Sequence, residues 1–267
     1  MLHYMAASDG EYFGAKVYST HPRHGAHFLF LLYRATDARP VALFEANHLG
    51  QIRTGAASGF ATDLLAAPGA AVVGLIGSGF QARTQAEAIQ AVRPVREMRV
   101  WSRSEEKRRA FAAECTAALG VSVHPANSAQ AALKGAGIVV TATSSKEPVI
   151  ECSWVEPEAH INAIGSNQAD RRELPGELLR RAGLVVVDSL EQARMESGDL
   201  LLGLDDWSSV VELKDLAGLI ERNTKAGISV FKSNGLAVED VAVAAFVYEK
   251  GLLERVGQEL PVLGSYS

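Results

Sequence analysis

Cysteine is scarce in this chain of 267 residues, and long hydrophobic runs are missing. The two cysteines, Cys115 and Cys152, lie in unrelated surroundings, so we expect no disulfide framework and a reducing compartment. No apolar run reaches the roughly 20 residues of a membrane-spanning helix, and the first residues lack the pattern of a signal peptide. We therefore expect a cytoplasmic protein with no membrane partner.

An excess of basic charge is also missing. The formal net charge is −5 and the isoelectric point is about 5.8, so a nucleic-acid partner is not expected. Hydrophobic residues make up 48% of the chain and charged residues 21%, an ordinary balance for a globular protein with a packed core. These numbers favour a globular enzyme or binding protein.

The middle of the chain alternates strand-like and helix-like segments. Val72–Ile76 belongs to a continuous apolar run, which is typical of a strand covered by helices on both faces. Further strands are predicted at 98–101, 121–123, 137–143, 160–164, 183–188 and 229–235, with helices at 81–91, 104–119 and 128–134. This alternation predicts an α/β fold with a Rossmann-type doubly wound parallel sheet.

The two ends of the chain have a different pattern. Strand-like runs at 27–33 and 41–45 flank a turn, which predicts an antiparallel hairpin, and a helix follows at 49–65. The last predicted helix, at 237–250, is expected to pack on this first region. We therefore predict an α+β substrate and dimerisation domain, residues 1–67 plus 236–267, into which a Rossmann domain, residues 68–235, is inserted.

The loop Gly77-Ser78-Gly79-Phe80-Gln81-Ala82 lies between a buried strand and a helix. Its glycines allow a tight turn and let backbone amides approach a pyrophosphate, to which the helix N-terminus adds partial positive charge. A purely structural glycine turn is the alternative. The complete strand, loop, helix and strand context favours dinucleotide binding, with Gly77 and Gly79 as cofactor-binding residues.

The residues after the second strand of this unit bear on the choice of cofactor. An acidic residue there favours NAD, because it accepts hydrogen bonds from the adenosine ribose. This chain instead has Ser102, Arg103 and Ser104, with Lys107 and Arg108 one turn later. Hydroxyls and cations suit a 2′-phosphate, so we expect NADP in preference to NAD. The alternative is that Arg103 is a solvated charge without influence on the cofactor.

Two polar clusters could suggest other chemistry. The histidines His21, His24 and His27 are spaced by three, but Pro22 and Gly25 disfavour a helix that would converge them, so a polar loop is favoured over a metal site. The dipeptide Asp188-Ser189 at a strand end could be part of an acidic site, but a helix cap is the favoured interpretation. We expect no metal ligand in either cluster.

Several segments together resemble the ornithine cyclodeaminase/mu-crystallin family. They occur in the family's order and cover nearly the whole chain: 53–58 (RTGAAS), 77–82 (GSGFQA), 141–143 (TAT), 162–167 (NAIGSN), 172–174 (REL), 187–189 (VDS) and 232–235 (KSNG). The resemblance implies a Rossmann domain joined to a dimerising substrate domain. It also implies a small amino-acid or imino-acid substrate and a homodimer.

The resemblance implies roles for individual residues. Lys16 is similar to the family's active-site lysine, which binds the substrate carboxylate or assists proton transfer, whereas residue type alone would favour a surface lysine. Arg53 is implied near the phosphates on the nicotinamide side. The remaining implied cofactor contacts are Phe80 and Gln81 at the pyrophosphate, Thr143 in the dinucleotide groove and Ser233 at the nicotinamide.

Two departures from the family pattern matter. Members that cyclise ornithine have an aspartate, proposed to act as a base, where this chain has Asn167, and an amide has no useful basicity. Asp170, three residues later, is the alternative proton acceptor. The start of the chain aligns inside the family's first sheet, so we expect an N-terminally shortened substrate domain without the segment whose arginine grips the substrate carboxylate.

Three functions remain open from the sequence. The favoured one is an NAD(P)-dependent oxidoreductase acting on the C–N bond of a small amino acid or 2-imino acid, of the amino-acid dehydrogenase or ketimine reductase type. It needs no water-activating base, which agrees with Asn167. The second is ornithine cyclodeaminase, which forms proline and ammonia with catalytic NAD. The third is a non-catalytic NADPH-dependent binding homologue.

Overall fold

The computed structural model describes residues 1–21, 23–216 and 227–260. The chain divides into two compact units, one formed by Met1–Gly50 with Ala237–Ser267 and the other by Gln51–Leu236. The first division falls within helix α1 (Asn47–Leu65), after residue 50, whereas the sequence favoured a division after residue 67. The predicted division after residue 67 stays a prediction. No helix among the described residues is long and apolar enough to span a membrane.

The first unit is built on a four-stranded antiparallel sheet. Its strands lie in chain order: β1 (Leu2–Ser8), β2 (Tyr12–His21), β3 (Gly25–Arg34) and β4 (Pro40–Glu45). The hairpin predicted from the two apolar runs is the β3–β4 pair. Because successive side chains of a strand point to opposite faces, each strand supplies both an inner and an outer face.

The inner face of this sheet carries the core of the first unit. Phe30 and Leu32 of β3 are at most 1% exposed and pack with Val241 and Ala244 of helix α8 (Ala237–Glu254). The predicted return of the last helix onto the first region is therefore observed. The predicted strand at 27–33 lies within β3 and includes His27. His21 ends β2, so only His24 of the three histidines lies in the turn that the sequence predicted as a polar loop.

The outer face of the same sheet is apolar. One row across the strands runs Ala6, Ala15, Leu31, Leu43, and the adjacent row contains Tyr4, Val17 and Leu29. Tyr4 is 69% exposed, and Leu29 and Leu43 are each 53% exposed. An antiparallel sheet commonly has one solvated face, but that face is normally polar. These seven side chains are called the outer face below.

The second unit contains an eight-stranded parallel sheet. Its spatial order is β11-β10-β12-β9-β8-β5-β6-β7, and all registered pairs are parallel. The strands are β5 (Val72–Ile76), β6 (Glu97–Trp101), β7 (Ser122–Pro125), β8 (Ile138–Thr141), β9 (His160–Ala163), β10 (Leu184–Val187), β11 (Val210–Glu212) and β12 (Ser229–Lys232). The chain reverses its winding direction between β5 and β8, where a doubly wound sheet opens a crevice for ligands.

Helices cover both faces of this sheet, and the described residues of this unit form three buried hydrophobic clusters. Besides α1, the helices are α2 (Phe80–Val92), α3 (Glu105–Leu119), α4 (Ala129–Leu133), α5 (Gly176–Arg181), α6 (Leu190–Glu196) and α7 (Gly198–Leu201). Ser104 and Ser128 cap α3 and α4 by accepting hydrogen bonds from backbone amides, which explains why these helices begin where the sequence predicts. The doubly wound α/β fold predicted from the sequence is confirmed.

Several elements were not predicted. In the first unit β1 and β2 were missed, because their residues are small or polar at alternate positions and give no continuous apolar run. In the second unit β11 and the short helices α5 and α7 were missed, and α6 was anticipated only through the predicted cap at Asp188-Ser189. Segments of three to seven residues present too little periodicity for a pattern to be recognised.

Candidate functional site

The glycine loop forms the tight turn that its sequence predicts. Gly77 follows β5 with φ +112°, a conformation that favours glycine, and a Cβ there would lie 2.3 Å from the carbonyl oxygen of Ala142. Gly79 is the N-cap of α2, and no side chain caps this helix. The first amides of a 13-residue helix therefore face the loop, which suits an anionic pyrophosphate.

A cavity of about 990 Å³ lies within the second unit at the carboxyl ends of its strands. It is lined by the loop residues 77–81, by 101–104 and Lys107 after β6, by 128–130, by 142–145 after β8, by 148–149 and Trp154, by 164–165 and Asn167 after β9, and by Arg53, Thr54, Ser233 and Asn234. No acidic side chain is among these described lining residues, whereas Arg53, Arg103 and Lys107 each bring a positive charge. The cavity suits a large, multiply anionic ligand.

Ser102 directly follows β6, at the position that the sequence analysis associates with the choice between NAD and NADP. Its hydroxyl accepts a hydrogen bond from Ser78 at 2.8 Å and donates one to the carbonyl oxygen of Ser104 at 3.1 Å. The Arg108 guanidinium donates to the Ser102 carbonyl at 3.0 Å and does not line the cavity. Arg103 is exposed, and it lines the cavity together with Lys107.

Asp188 organises the turn that carries Ser233. One carboxylate oxygen accepts hydrogen bonds from the Ser233 hydroxyl at 3.2 Å, the Asn234 amide at 2.7 Å and the Gly235 amide at 2.5 Å. Ser189 accepts from the Gln192 amide at 3.3 Å and caps α6, so the predicted cap is present beside this carboxylate. The turn is held by a buried carboxylate, and Ser233 is 2% exposed.

Arg53 reaches the same turn from helix α1. Gly235 has φ +85°, and a Cβ at this position would lie 1.9 Å from Nη1 of Arg53. The guanidinium is therefore packed directly on the glycine backbone. Any larger residue at 235 would displace the cation from the cavity wall.

The predicted pyrophosphate contacts line the cavity. Phe80 is 48% exposed, and its carbonyl oxygen accepts a hydrogen bond from the Gln51 amide group. The side-chain oxygen Oε1 of Gln81 is buried and meets no hydrogen-bond donor among the described residues. A buried acceptor without a donor costs free energy, so the Gln81 position fits a site completed by a bound polar ligand. Thr143 lies opposite, after β8.

Asn167 and Asp170 are separated by the structure. Asn167 lines the cavity, and its amide nitrogen lies 3.5 Å from the carbonyl oxygen of Asn234. Asp170 is exposed and is not one of the residues that line the cavity. The carboxylate that could replace the family's aspartate is thus outside this cavity, and its catalytic role stays a prediction.

Lys16 belongs to the first unit, whereas the other predicted site residues belong to the second. It lies on the inner face of the sheet, in β2, and is 3% exposed. Its ammonium contacts the carboxylate of Asp240, a fully buried residue of α8. A surface lysine, the alternative that residue type alone favoured, is therefore wrong.

Sequence reasoning missed a buried ionic cluster in the second unit. Glu173, Asp199 and Lys232 are each fully buried. Glu173 and Lys232 were quoted only as parts of family motifs, and Asp199 was not singled out. The signal that could have found Lys232 was a lysine directly after Val230 and Phe231 in a strand of the parallel sheet, where both faces are expected to be covered.

Comparisons with known proteins agree with this geometry. Residues 1–254 match the ornithine cyclodeaminase/mu-crystallin family. Ketimine reductase mu-crystallin of Mus musculus is 37% identical over 229 residues, which cover 85% of this chain and 70% of that protein.

Two solved structures are similar over nearly the whole chain. One is the Delta(1)-pyrroline-2-carboxylate reductase of Thermococcus litoralis in complex with NADH and L-proline, with TM-score 0.88, 32% identity, and coverage of 97% of this chain and 88% of that one. The other is an archaeal alanine dehydrogenase dimer with bound NAD, with TM-score 0.90, 33% identity, and coverage of 98% and 84%.

Proposed function

This chain belongs to the ornithine cyclodeaminase/mu-crystallin family, and we propose that it reduces the C=N bond of a small 2-imino acid with NADPH. The prediction of an NAD(P)-dependent enzyme of this family is confirmed by its relatives. The reverse reaction, oxidation of an amino acid, uses the same site. The relatives include a ketimine reductase and a pyrroline-2-carboxylate reductase, which act on substrates of this class.

The observation that carries this proposal is the absence of a carboxylate from the described lining of the cavity. Reduction of a preformed imine transfers a hydride to carbon and a proton to nitrogen, so it requires a hydride donor and a proton donor. Cyclodeamination also requires a base that activates an amine or water. Asn167 lies in the cavity wall where such a base is expected, and it cannot accept a proton with useful basicity.

We propose separate roles for the residues that bind the cofactor and those that bind the substrate. Arg53, the glycine loop and Ser233 bind and orient the dinucleotide, which supplies the hydride when it is bound. Asn167 is proposed to orient the substrate by hydrogen bonding. Lys16 is proposed to bind the substrate carboxylate or to donate the proton, and its contact with Asp240 holds the ammonium in a defined position.

We further propose that NADPH is preferred to NADH. Ser102, Arg103, Ser104 and Lys107 all line the cavity after β6, where the adenosine ribose is expected, and no acidic residue of this stretch is among the lining residues. A 2′-phosphate has a charge close to −2, which two neighbouring cations attract. The similar structures hold NAD or NADH, so the proposed preference is supported by this chain's own residues alone.

The outer face supports the proposal of a homodimer, and the cytoplasmic location is proposed from the sequence alone. Its rows of apolar side chains form a continuous patch on the sheet, and such patches mark association surfaces. A second copy of this chain is the proposed occupant, because the similar archaeal alanine dehydrogenase is a dimer.

The test is a substrate panel with the purified chain. Delta(1)-pyrroline-2-carboxylate, its six-membered homologue, and pyruvate with ammonia are each offered with NADPH, and ornithine is offered with NAD. We expect oxidation of NADPH with at least one imine, and no ammonia or proline from ornithine. Proline and ammonia formed from ornithine without net cofactor change would establish the cyclodeaminase instead. Tight NADPH binding without any turnover would favour a non-catalytic binding protein.

A further inference from the structure

A buried carboxylate ties together two strand ends of the cavity floor. Glu173 accepts hydrogen bonds from the Thr143 amide at 2.6 Å, the Gly165 amide at 2.7 Å and the Thr141 hydroxyl at 2.9 Å. Thr141 and Thr143 lie at the end of β8, and Gly165 follows β9. Two of the three donors are backbone amides that can only donate, and they bind different oxygens. Both oxygens of Glu173 must therefore accept, which suits the ionised carboxylate.

The segments that follow β8 and β9 are packed closely against each other. A Cβ at Gly165 would lie 2.1 Å from the Thr143 carbonyl oxygen and 2.6 Å from Oε1 of Glu173. Thr143 and Gly165 both line the cavity. The position of the Glu173 carboxylate therefore sets the separation of the backbone segments between which the dinucleotide is proposed to lie.

The second acid of the cluster fixes the backbone that carries Glu173. Asp199 in α7 accepts hydrogen bonds from the Glu173 amide at 2.6 Å and the Leu174 amide at 2.8 Å through Oδ1. Its other oxygen lies 3.7 Å from Nζ of Lys232. A displacement of Asp199 or Lys232 would thus be transmitted to Glu173.

Lys232 is the cation of the cluster. Its ammonium donates to the carbonyl oxygens of Ser233 at 3.1 Å and Ala163 at 3.3 Å, so it joins the ends of β12 and β9. Burial raises the pKa of Glu173 above its ordinary value, and the charge of Asp199 acts in the same direction, while the bonds from Thr143 and the charge of Lys232 oppose them. Burial of two carboxylates beside one cation costs desolvation free energy, and this cost increases when the cation is removed.

We propose that Glu173 is a positioning residue for the dinucleotide, acting through Thr143 and Gly165, and that Lys232 is the cation that keeps Glu173 in its ionised, accepting form. The proposal deepens the cofactor-binding function stated above and rests on it. Neither residue touches the substrate in this account. Their effect is on cofactor affinity and on its dependence on pH.

The principal test is Glu173→Gln, with the dissociation constants of NADPH and NADH measured by calorimetry. The variant keeps the shape of the side chain but turns an NH2 group toward an amide that can only donate. We expect both dissociation constants to rise about tenfold or more. The matched control is Ser229→Ala, which removes a buried hydrogen bond to His160, 2.9 Å long, away from the cavity lining. It should lower the melting temperature and change the dissociation constants less than twofold.

If Glu173→Gln does not fold, a second variant tests the same proposal. Lys232→Met removes the charge and keeps the volume, so Glu173 should take up a proton at a higher pH than in the unaltered chain. NADH is the probe, because it lacks the 2′-phosphate that titrates near pH 6. We expect NADH affinity in Lys232→Met to fall between pH 8 and pH 6 at least threefold more than it does in the unaltered chain.

Three results would overturn the proposal. They are unchanged dissociation constants in a folded Glu173→Gln, an equal loss in Ser229→Ala, or identical pH profiles of NADH binding with and without Lys232. If the unaltered chain binds neither dinucleotide, the proposed function fails as well. Binding by the unaltered chain with no effect of the variants rejects the positioning role alone.

Discussion

The two sheets of this protein differ in how their faces are covered and in where their polar groups lie. The parallel sheet of the second unit is covered by helices on both faces, and the ends of its strands carry polar and ionic groups that meet at the cavity. The antiparallel sheet of the first unit is covered by α8 on one face and leaves apolar side chains exposed on the other. The comparison teaches that the groups suited to ligand binding are concentrated at strand ends in one unit, whereas the surface proposed for association lies on a sheet face in the other.

The largest expected effect concerns the strand-end chemistry of the second unit. Gly77→Ala places a Cβ against the Ala142 carbonyl oxygen and strains a backbone with positive φ. We expect NADPH affinity to fall about a thousandfold or more, equivalent to about 4 kcal/mol. Calorimetric titration measures this, and Gly69→Ala, in open space before β5, is the control that should bind normally. Normal binding by Gly77→Ala would show that the loop is only a structural turn.

The second largest expected effect concerns the outer face of the sheet in the first unit. Leu29→Asp puts a charge on the outer face, where the monomer exposes the side chain but a dimer would bury it. We expect the dimer dissociation constant to rise about a hundredfold or more, as measured by sedimentation, with little change in NADPH affinity. Glu11→Lys, which alters charge at an exposed turn, should leave the dimer intact. A monomeric unaltered chain, or a dimeric Leu29→Asp, would remove the outer face as the dimer interface.

A third effect arises from a buried histidine of the parallel sheet. Burial lowers the pKa of His160 to about 4, and Ser229 and Asn162 hydrogen-bond its ring. Below about pH 6.5 the histidine is protonated in the unfolded chain but stays neutral in the folded chain. The free energy of unfolding therefore decreases as the pH falls from about 6.5 toward 4. We expect this group to cost about 2 kcal/mol of unfolding free energy between pH 7 and pH 4.5.

Urea unfolding of the unaltered chain and of His160→Gln at both pH values measures this term. The variant should be less stable at pH 7 but should lose about 2 kcal/mol less on acidification. The other titrating groups are common to both chains and cancel in the difference. Parallel pH profiles of unfolding free energy would contradict the assignment.

The smallest effect concerns the choice between the two dinucleotides. Arg103→Ala removes one of the two cations that line the cavity after β6. We expect NADPH to bind about tenfold more weakly while NADH binding changes less than twofold, because only NADPH carries the 2′-phosphate. Arg109→Ala, which removes an exposed cation of α3 that pairs with Glu105, is the matched control. Equal losses for both dinucleotides would refute the predicted preference.

The sequence predicted the second unit better than the first, for a physical reason. Strands covered on both faces require continuous apolar runs such as Val72–Ile76, and these stand out from their surroundings. The strand β2 mixes aromatic, small and polar residues without a continuous apolar run, and the buried Lys16 contacts Asp240 from the far end of the chain. Such a partnership between distant residues has no local signature.

The candidate site shows the same division. Gly77 and Ser102 were predicted from local motifs, whereas Gln81, Thr143 and Ser233 were implied by the family resemblance. All five line one cavity. The cluster of Glu173, Asp199 and Lys232 was missed, because its members come from three separate segments and meet only in the folded sheet. Local chemistry was therefore predictable, and the buried groups that support it were not.

The most direct test of the proposed reaction is transfer of deuterium from NADPH labelled at C4 of the nicotinamide. Unlabelled Delta(1)-pyrroline-2-carboxylate is the acceptor, and the product is analysed by mass spectrometry and NMR. We predict proline with one deuterium on Cα and one NADP⁺ formed for each molecule of product. Proline without deuterium, or no proline from this or any other cyclic 2-imino acid, would contradict the proposal that this protein is an imine reductase.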